Sequence, residues 1–229
     1  MNATDAPFSN QLQIPGPRRK TVGIVGAGQL ARMMIQAAIP LDVQIALLAE
    51  RAEDGAAHVC PDVVVGAPDD LALLRALGAR VDALTFDHEL VDPSLLAVLE
   101  AEGVPVRPHA AAMALAQNKR RQRSELSALG APMPRYRDIE TEADLTGFGE
   151  VHGWPVVAKA SRGGYDGRGV WTLVGPDEAR RCWAETRSAG VELLVEEWLP
   201  LDAELAVLVA RRPSGETVIY PVVETVQRG

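Results

Sequence analysis

A glycine-dense loop with the sequence R-G-G-Y-D-G-R-G occupies residues 162–169, directly after the apolar segment 154–159. Four of the seven residues from position 163 onwards are glycines: Gly163, Gly164, Gly167 and Gly169. Glycine allows positive φ angles, so such a loop can turn its N–H groups towards anionic oxygens, and Lys159 and Arg168 add positive charge. A β-hairpin turn is the alternative, although a turn needs only one or two glycines. The loop therefore predicts a lid that closes over nucleotide phosphates.

The residue types that an ATP site needs occur around this loop in the order Lys119, Lys159, Glu196, Glu197, Trp198, Leu199 and Glu204. Lysines neutralise phosphates, a strand segment can offer backbone groups to adenine, and a carboxylate such as Glu204 can accept ribose hydroxyls. Because neighbouring side chains of a strand alternate in direction, at most one of Glu196 and Glu197 is expected to face the site. Lys159 ends an apolar strand, where a buried ammonium needs an anionic partner, whereas Lys119 also fits a solvated helix face.

A second glycine motif, G-A-G-Q-L-A, spans residues 26–31 between a predicted strand and a predicted helix. Its spacing matches the dinucleotide-binding fingerprint, with alanine at the third position, but its backbone suits any phosphate at a helix N-terminus. Glu50 ends the next strand, where it could bind a ribose or lie in solvent. Since no hydride-transfer site follows in the chain, the motif predicts the phosphate end of a small substrate at Gly28, Gln29 and Leu30.

The composition of the chain limits the classes of function. Its 229 residues are 47% hydrophobic and 24% charged, which is ordinary for a globular protein with a sizeable core. The net charge of −8 argues against a general nucleic-acid binder, in spite of the basic cluster at 119–123. No apolar run could cross a bilayer and residues 1–20 lack a signal-peptide core, so a cytoplasmic protein without membrane contact is expected. The four histidines have no metal-ligand spacing, and the thiols of Cys60 and Cys182 are expected to be reduced and partly buried.

Hydrophobic patterns along the chain predict an α/β architecture in two domains. After a disordered tail at 1–20, strands alternate with helices over residues 21–107, which is the rhythm of a parallel sheet in a Rossmann-like domain. The segment 108–134 contains a basic helical pattern at 110–129 and a glycine- and proline-rich breaker, which indicates a helical linker. Residues 135–229 then read as an α+β domain whose strands pair antiparallel.

The second predicted domain reads as incomplete. Strands are predicted at 192–196, 204–210 and 218–226, and the sequence stops three residues after the last of them. An open strand edge and an uncovered sheet face are costly for an isolated protein. The remainder of this domain is therefore expected to lie outside the 229 residues.

Two motifs taken together resemble a known enzyme family. T-V-G-I-V-G-A-G-Q-L-A-R-M-M at 21–34 and G-G-Y-D-G-R-G at 163–169 resemble segments of 5-(carboxyamino)imidazole ribonucleotide synthases, which are ATP-grasp ligases of purine biosynthesis. The resemblance covers nearly all of the chain after its tail, through V-V-A-K at 156–159, V-E-E-W-L at 195–199 and Y-P-V-V-E at 220–224. Either glycine motif alone is unspecific, but the pair is specific.

The resemblance implies an N-terminal substrate-binding domain before an ATP-grasp domain, and it implies roles for single residues. The implied ATP contacts are Lys119, Lys159, Glu196, Glu197, Trp198, Leu199, Glu204, Gln227 and the loop residues Gly163, Gly164, Tyr165, Asp166, Gly167, Arg168 and Gly169. Among these, Tyr165, Asp166 and Arg168 are the candidate catalytic residues: Tyr165 and Asp166, at the centre of the loop, could reach the substrate amine or bicarbonate, or could serve only to order the loop. Family members commonly have arginine where Lys119 stands, and His or Gln at the position of Gln227.

The implied substrate pocket lies in the first domain, where Gln29 and Leu30 resemble part of the binding site for aminoimidazole ribonucleotide. The family often shows F-E-x-E where this chain has F-D-H-E at 86–89. Either Asp87 or Glu89 is thus expected to hold the substrate ribose. Asp87 stands where the family often has glutamate, and its shorter side chain reaches less far.

The reaction that the resemblance implies is ATP-dependent carboxylation. Bicarbonate attacks the γ-phosphate to give carboxyphosphate, the exocyclic amine of aminoimidazole ribonucleotide captures carbon dioxide, and ADP and phosphate leave. Such chemistry needs positive charge at the transferring phosphoryl group and exclusion of water from a labile intermediate.

The family resemblance also implies Mg²⁺ and a homodimer. In this family, the metal ligands and a phosphate-binding R-x-H-N-S segment belong to the later half of the ATP-grasp domain. Neither is found in the 229 residues, so the chain alone is expected to be inactive or nearly so. Three alternatives stay open: another ATP-grasp ligase such as formate-dependent glycinamide ribonucleotide transformylase or a biotin carboxylase, an NAD-dependent oxidoreductase, and a non-catalytic binding fragment.

Overall fold

The computed structural model describes residues 18–164 and 168–226. The chain divides into two compact units, Met1–Asn118 and Lys119–Gly229. This boundary falls inside the segment 108–134, for which the sequence predicts a linker. Within the described residues, every helix is too short or too polar to span a membrane.

The first unit is a parallel sheet covered by helices on both faces. Its strands are β1 (Thr21–Val25), β2 (Gln44–Ala49), β3 (Val63–Val65) and β4 (Ala83–Phe86), in the spatial order β3-β2-β1-β4. Its helices are α1 (Gln29–Ala38), α2 (Leu71–Gly78), α3 (Pro93–Ala101) and α4 (Ala110–Gln117), with a 3₁₀ turn at Ile39–Leu41 after α1. All neighbouring strands pair in parallel, which confirms the predicted Rossmann-like architecture.

Alternating residues of the strands supply two separate cores. Val25 and Leu48 pack with buried residues of α2, α3 and α4. Ile24 and Leu47, their neighbours in sequence, pack on the other face with Ala31 of α1. Because consecutive strand residues point to opposite faces, a sheet that is apolar at every position must be covered on both sides.

The second unit is an antiparallel sheet whose core lies on one face. Its strands are β5 (Tyr136–Ile139), β6 (Val156–Ala160), β7 (Val170–Leu173) and β8 (Leu193–Glu197), in the spatial order β5-β8-β6-β7. Its helices are α5 (Lys119–Ala128), α6 (Glu142–His152) and α7 (Pro176–Ser188). Leu145 and Phe148 of α6 and Ala179 of α7 pack against Ala158 and Val195. The antiparallel pairing confirms the predicted change of architecture.

The last described part of the chain forms two small antiparallel sheets. The strands are β9 (Glu204–Ala206), β10 (Val209–Arg211), β11 (Thr217–Ile219) and β12 (Val223–Thr225), paired as β9 with β12 and β10 with β11. Every residue from 198 to 226 is exposed. The sequence predicts longer strands at 204–210 and 218–226, and both are interrupted. Pro221 follows β11, and because proline has no N–H it cannot extend the ladder.

One further expectation is corrected, and one missed strand is explained, by contacts between residues distant in sequence. The helical pattern at 110–129 is not one helix, because Asn118 is extended, with φ of −123° and ψ of 105°. The next amide, Lys119 N, donates to Ser161 O at 2.8 Å, so a contact distant in sequence replaces a helical one. Strand β5 was not expected from its polar sequence Y-R-D-I, and it forms because β8 supplies a pairing partner.

Both cysteine thiols are free and buried, as expected. Burial raises the pKa of the Cys182 thiol to about 11, and the nearby Glu185 carboxylate adds to the shift. Burial also raises the pKa of Cys60, whose sulfur lies 3.4 Å from the carbonyl oxygens of Ile45 and Asp62.

Candidate functional site

One face of the second sheet carries an ionic cluster. Ala158 and Val195 point to the core with α6 and α7, so their neighbours Lys159 and Glu196 lie on the opposite face. Lys159 Nζ donates to Glu196 Oε2 at 2.5 Å, and Arg123 Nε of α5 donates to Glu196 Oε1. The predicted need of Lys159 for an anionic partner is therefore met by the chain itself.

Glu196 is ionised and only 4% exposed. Burial acts to raise the pKa of its carboxyl group, but hydrogen bonds from Arg123 and Lys159 and their positive charges outweigh burial and hold the pKa below its usual value. A buried carboxylate with a separate cation on each oxygen is a rigid group. The cluster can thus present the remaining N–H groups of Lys159 to a ligand in a fixed position.

The glycine-dense loop begins beside this cluster. Gly163 and Gly169 have φ angles of +72° and +70°, the positive range that the sequence leads one to expect. Lys119 Nζ donates to Gly164 O at 3.4 Å, and Ala160 N donates to Gly169 O at 2.7 Å. The flanking strands β6 and β7 pair antiparallel, so the loop connects the two strands of a β-hairpin, as the alternative interpretation predicted.

Some predicted residues fall outside the described part of the chain. They are Tyr165, Asp166, Gly167 and Gln227. Their predicted catalytic and nucleotide-binding roles stay predictions, as does that of Arg168, which is described.

The other predicted nucleotide contacts are spread along β8 and β9. Glu197 points away from Glu196, as strand alternation requires, and its carboxylate accepts from Arg135 N at 2.9 Å and Arg135 Nε at 2.8 Å. Trp198 and Leu199 are exposed immediately after β8. Glu204 is exposed on the separate β9–β12 sheet. The structure thus brings together Lys159, Glu196 and the start of the loop.

In the first unit, Asp87 lies over the second glycine motif, at residues 26–31. Its side chain follows β4 and is 5% exposed. Gly28 N donates to Asp87 Oδ2 at 2.7 Å. Asp87 Oδ1 is buried and accepts no hydrogen bond from the described residues, and His88 Nε2 lies 3.7 Å from it. A buried carboxylate oxygen without a donor marks a place where a ligand can supply one.

This geometry changes what the glycine motif can bind. The Gly28 N–H group that would face a phosphate is bonded to a carboxylate, which would repel a second anion. The other candidate acid, Glu89, is exposed, as are Gln29 and Leu30. The site at the end of β4 therefore suits a hydroxyl or amine donor at Asp87 better than a phosphate at Gly28.

A Gly26→Ala substitution is expected to destabilise the first unit by about 3 kcal/mol. Gly26 has a φ angle of +107°, and an added Cβ would lie 1.6 Å from Asp87 Oδ1. Thermal unfolding followed by circular dichroism measures the change. Gly55→Ala is the control, because a Cβ there meets nothing within 4 Å. Equal stability of the two variants would show that the Asp87 contact is not close.

A cleft of about 460 Å³ opens at the other end of the same sheet, where strands β1 and β2 begin. It is lined largely by apolar side chains such as Ile35 and Ile39, and its charged pair, Arg80 and Asp62, is satisfied internally at 2.7 Å. Ligands of parallel α/β sheets bind at the carboxyl ends of the strands. The Asp87 site lies at that end and has a carboxylate oxygen to which no described residue donates, so it is the better candidate.

Two family models match the chain. Residues 19–117 match the ribonucleotide synthetase preATP-grasp domain, and residues 124–229 match the ATP-grasp domain. An N5-carboxyaminoimidazole ribonucleotide synthase from Mycobacterium bovis is 47% identical over 207 residues, which cover 90% of this chain and 48% of the relative. The chain belongs to the N5-carboxyaminoimidazole ribonucleotide synthase family. The resemblance inferred from the two glycine motifs is thereby confirmed.

Solved structures of N5-carboxyaminoimidazole ribonucleotide synthases agree with this assignment. One from Aspergillus clavatus, complexed with ATP, is 31% identical with a TM-score of 0.82, over 92% of this chain and 55% of that one. Another from the same organism, in complex with ADP and 5-aminoimidazole ribonucleotide, is 29% identical with a TM-score of 0.81, over 92% and 54%. The chain spans about half the length of the curated relatives it matches.

In this synthase-family chain, the sequence did not identify Arg123 as a residue of the candidate nucleotide site. The basic cluster at 119–123 gave no signal to separate it from Arg120 and Arg121, since all three lie on one helix. Only the packing of α5 shows that Arg123 reaches Glu196, while Arg120 pairs with Asp138 at 3.2 Å. Arg120 and Arg123, three residues apart on α5, thus contact acidic residues of two neighbouring strands, β5 and β8.

Proposed function

We propose that this chain carries the ATP-binding and ribonucleotide-binding parts of an enzyme that carboxylates 5-aminoimidazole ribonucleotide with bicarbonate and ATP. The carrying observation is the ionic cluster of Lys159, Glu196 and Arg123 beside a glycine-dense loop, in a chain of this synthase family. The products would be 5-(carboxyamino)imidazole ribonucleotide, ADP and phosphate. A cytoplasmic homodimer is part of the proposal and is supported by the family resemblance.

The nucleotide side of the proposal uses the second unit. Lys159 and Lys119 flank the start of the loop and would neutralise phosphate oxygens, while loop N–H groups add hydrogen bonds. The backbone at 196–199 would meet the adenine edge. A similar synthase has been solved in complex with ATP, which supports ATP as the nucleotide.

The ribonucleotide side of the proposal uses the first unit. Asp87 Oδ1 would accept a ribose hydroxyl, since it is buried and none of the residues that the structure describes donates to it. Its companion oxygen is fixed by Gly28 N–H, so the carboxylate is held in one orientation before the ligand arrives. The complex of a family member with 5-aminoimidazole ribonucleotide supports this substrate.

Magnesium is the metal that ATP chemistry of this kind uses. The described residues contain no group of three His, Cys, Asp or Glu side chains that could hold a metal ion. They therefore do not fit a metal site by themselves, and the roles assigned to Lys159, Lys119 and the loop rest on charge and hydrogen bonding alone.

Two measurements on the purified chain test the proposed function. Calorimetry with ATP and with 5-aminoimidazole ribonucleotide measures binding, and phosphate release from ATP, Mg²⁺ and bicarbonate, with and without the ribonucleotide, measures chemistry. Binding of both ligands is expected, and any phosphate release should depend on the ribonucleotide. Binding of NAD in place of both ligands would contradict the proposal and favour an oxidoreductase.

An Asp87→Ala variant is expected to weaken binding of 5-aminoimidazole ribonucleotide by about 10- to 100-fold, because a charged hydrogen bond to a hydroxyl is lost. ATP binding should be unchanged. Titration calorimetry with each ligand measures both effects, and Glu89→Ala is the matched control, since Glu89 is exposed. A loss for Glu89→Ala that exceeds the loss for Asp87→Ala would assign the ribose to Glu89.

A further inference from the structure

We propose that Arg123 is a positioning residue for nucleotide binding, acting through Glu196 on Lys159. Its guanidinium balances the buried carboxylate, so that the ammonium of Lys159 keeps its positive charge available to nucleotide phosphates. The inference rests on the proposed function, because it assumes that the second unit binds a nucleoside phosphate.

Each oxygen of Glu196 has its own cation. Lys159 Nζ lies 2.5 Å from Oε2, and Arg123 Nε contacts Oε1. The exposed fractions of the three side chains are 22% for Lys159, 17% for Arg123 and 5% for Glu196. The carboxylate is thus shielded from water and depends on these two groups, while the two cations each keep one exposed side.

Arg123 determines the net charge of the cluster that it forms with Glu196 and Lys159. One carboxylate and two cations leave the cluster with a net charge of +1. Without Arg123, the charge of Lys159 would be cancelled by Glu196, and the cluster would be neutral. A neutral cluster attracts a polyanion far less than a positive one does, and the difference grows with the number of phosphates on the ligand.

The other arginines of α5 cannot replace Arg123. Arg120 contacts Asp138, Glu140 and Glu192, and Arg121 pairs with Glu125 on the same helix at 3.6 Å. Both point to carboxylates other than Glu196. The geometry therefore singles out one of three neighbouring arginines.

The test compares ATP, ADP, AMP and adenosine as ligands in titration calorimetry of the whole 229-residue chain. For Arg123→Met, the dissociation constant for ATP is expected to rise about 10-fold, that for AMP less, and that for adenosine less than about twofold. Arg123→Lys should restore most of the ATP affinity, because it restores the charge. Arg121→Met removes the same charge from the same helix and should leave the series unchanged.

A purely structural role for Arg123 would weaken all four ligands equally, and that result would overturn the inference. ATP affinity of Arg123→Met equal to that of the unaltered chain would also overturn it. If Arg123→Met does not fold, Arg123→Gln carries the same test, because glutamine keeps a donor and lacks the charge. Failure of the unaltered chain to bind ATP would overturn the proposed function itself, and this inference with it.

Discussion

A Lys159→Met variant is expected to bind ATP at least about 100-fold more weakly than the unaltered chain. Lys159 is the cation at the end of β6, beside the glycine-dense loop, and its removal deletes a charged donor to the nucleotide. Removal also leaves Glu196 with one cation, so the cluster becomes neutral and loses one hydrogen bond. Titration calorimetry with ATP measures the loss.

Lys20→Met is the matched control for this substitution. It removes the same charge from the first unit, where Lys20 pairs with Asp82 at 3.0 Å and is 74% exposed. Its ATP affinity should stay unchanged. A loss of less than about threefold in Lys159→Met would show that Lys159 neither contacts a phosphate nor attracts the nucleotide by its charge, since either role is worth more.

A Glu196→Gln variant is expected to lower the free energy of unfolding of the second unit by about 3 kcal/mol. The substitution leaves Lys159 and Arg123 facing each other without an anion, and both are mostly withdrawn from water. All four tryptophans of the chain, at positions 154, 171, 183 and 198, belong to the second unit. Urea unfolding followed by tryptophan fluorescence therefore reports this unit alone.

The effect of Glu196 on stability should depend on pH in one direction. Its pKa is lower in the folded chain than its ordinary value of 4.5, so the unfolded state binds a proton first as the pH falls. The contribution is thus fully present above about pH 5 and disappears as the pH falls through the lowered folded pKa. The stability difference between Glu196→Gln and the unaltered chain should be constant from neutral pH to about pH 5 and shrink below it.

Glu125→Gln is the control for both parts of this prediction, because Glu125 forms an exposed pair with Arg121 on α5. Such a pair contributes about 0.5 kcal/mol or less. Equal stability of the two glutamine variants would mean that the cluster is solvated in solution. A stability difference that grows below pH 5 would contradict the lowered pKa of Glu196.

The fold of both units follows from sequence patterns wherever residues close in sequence decide the structure. Strand and helix periods give the parallel sheet of the first unit, and the prolines at 132 and 134 give the end of α5 nearly in the right place. The break at Asn118 could not be predicted, because the acceptor of the following amide is Ser161, more than forty residues away. Strand β5 was missed for the same reason, since its partner β8 lies far along the chain.

The candidate site shows the same division between local and distant contacts. The need of Lys159 for an anion followed from its place at the end of an apolar strand, and Glu196 was already a candidate. The contact of Arg123 with that anion could not be predicted, because helix α5 offers several arginines and sequence does not fix its rotation against the sheet. Likewise, the sequence offered Asp87 and Glu89 equally, and only the fold shows which of them is buried.

The burial of both cysteines makes the chain suitable for site-specific labelling without removal of its own thiols. At pH 7 a thiol with a pKa of about 11 is ionised only to about one part in ten thousand, whereas an exposed cysteine with a pKa near 8.5 is ionised to about 3%. A Ser127→Cys substitution on the exposed side of α5 would therefore react with a maleimide dye several hundredfold faster than Cys182, at roughly equal nucleophilicity. A fluorophore there would report nucleotide binding from the helix that carries Arg123, in the otherwise unmodified protein.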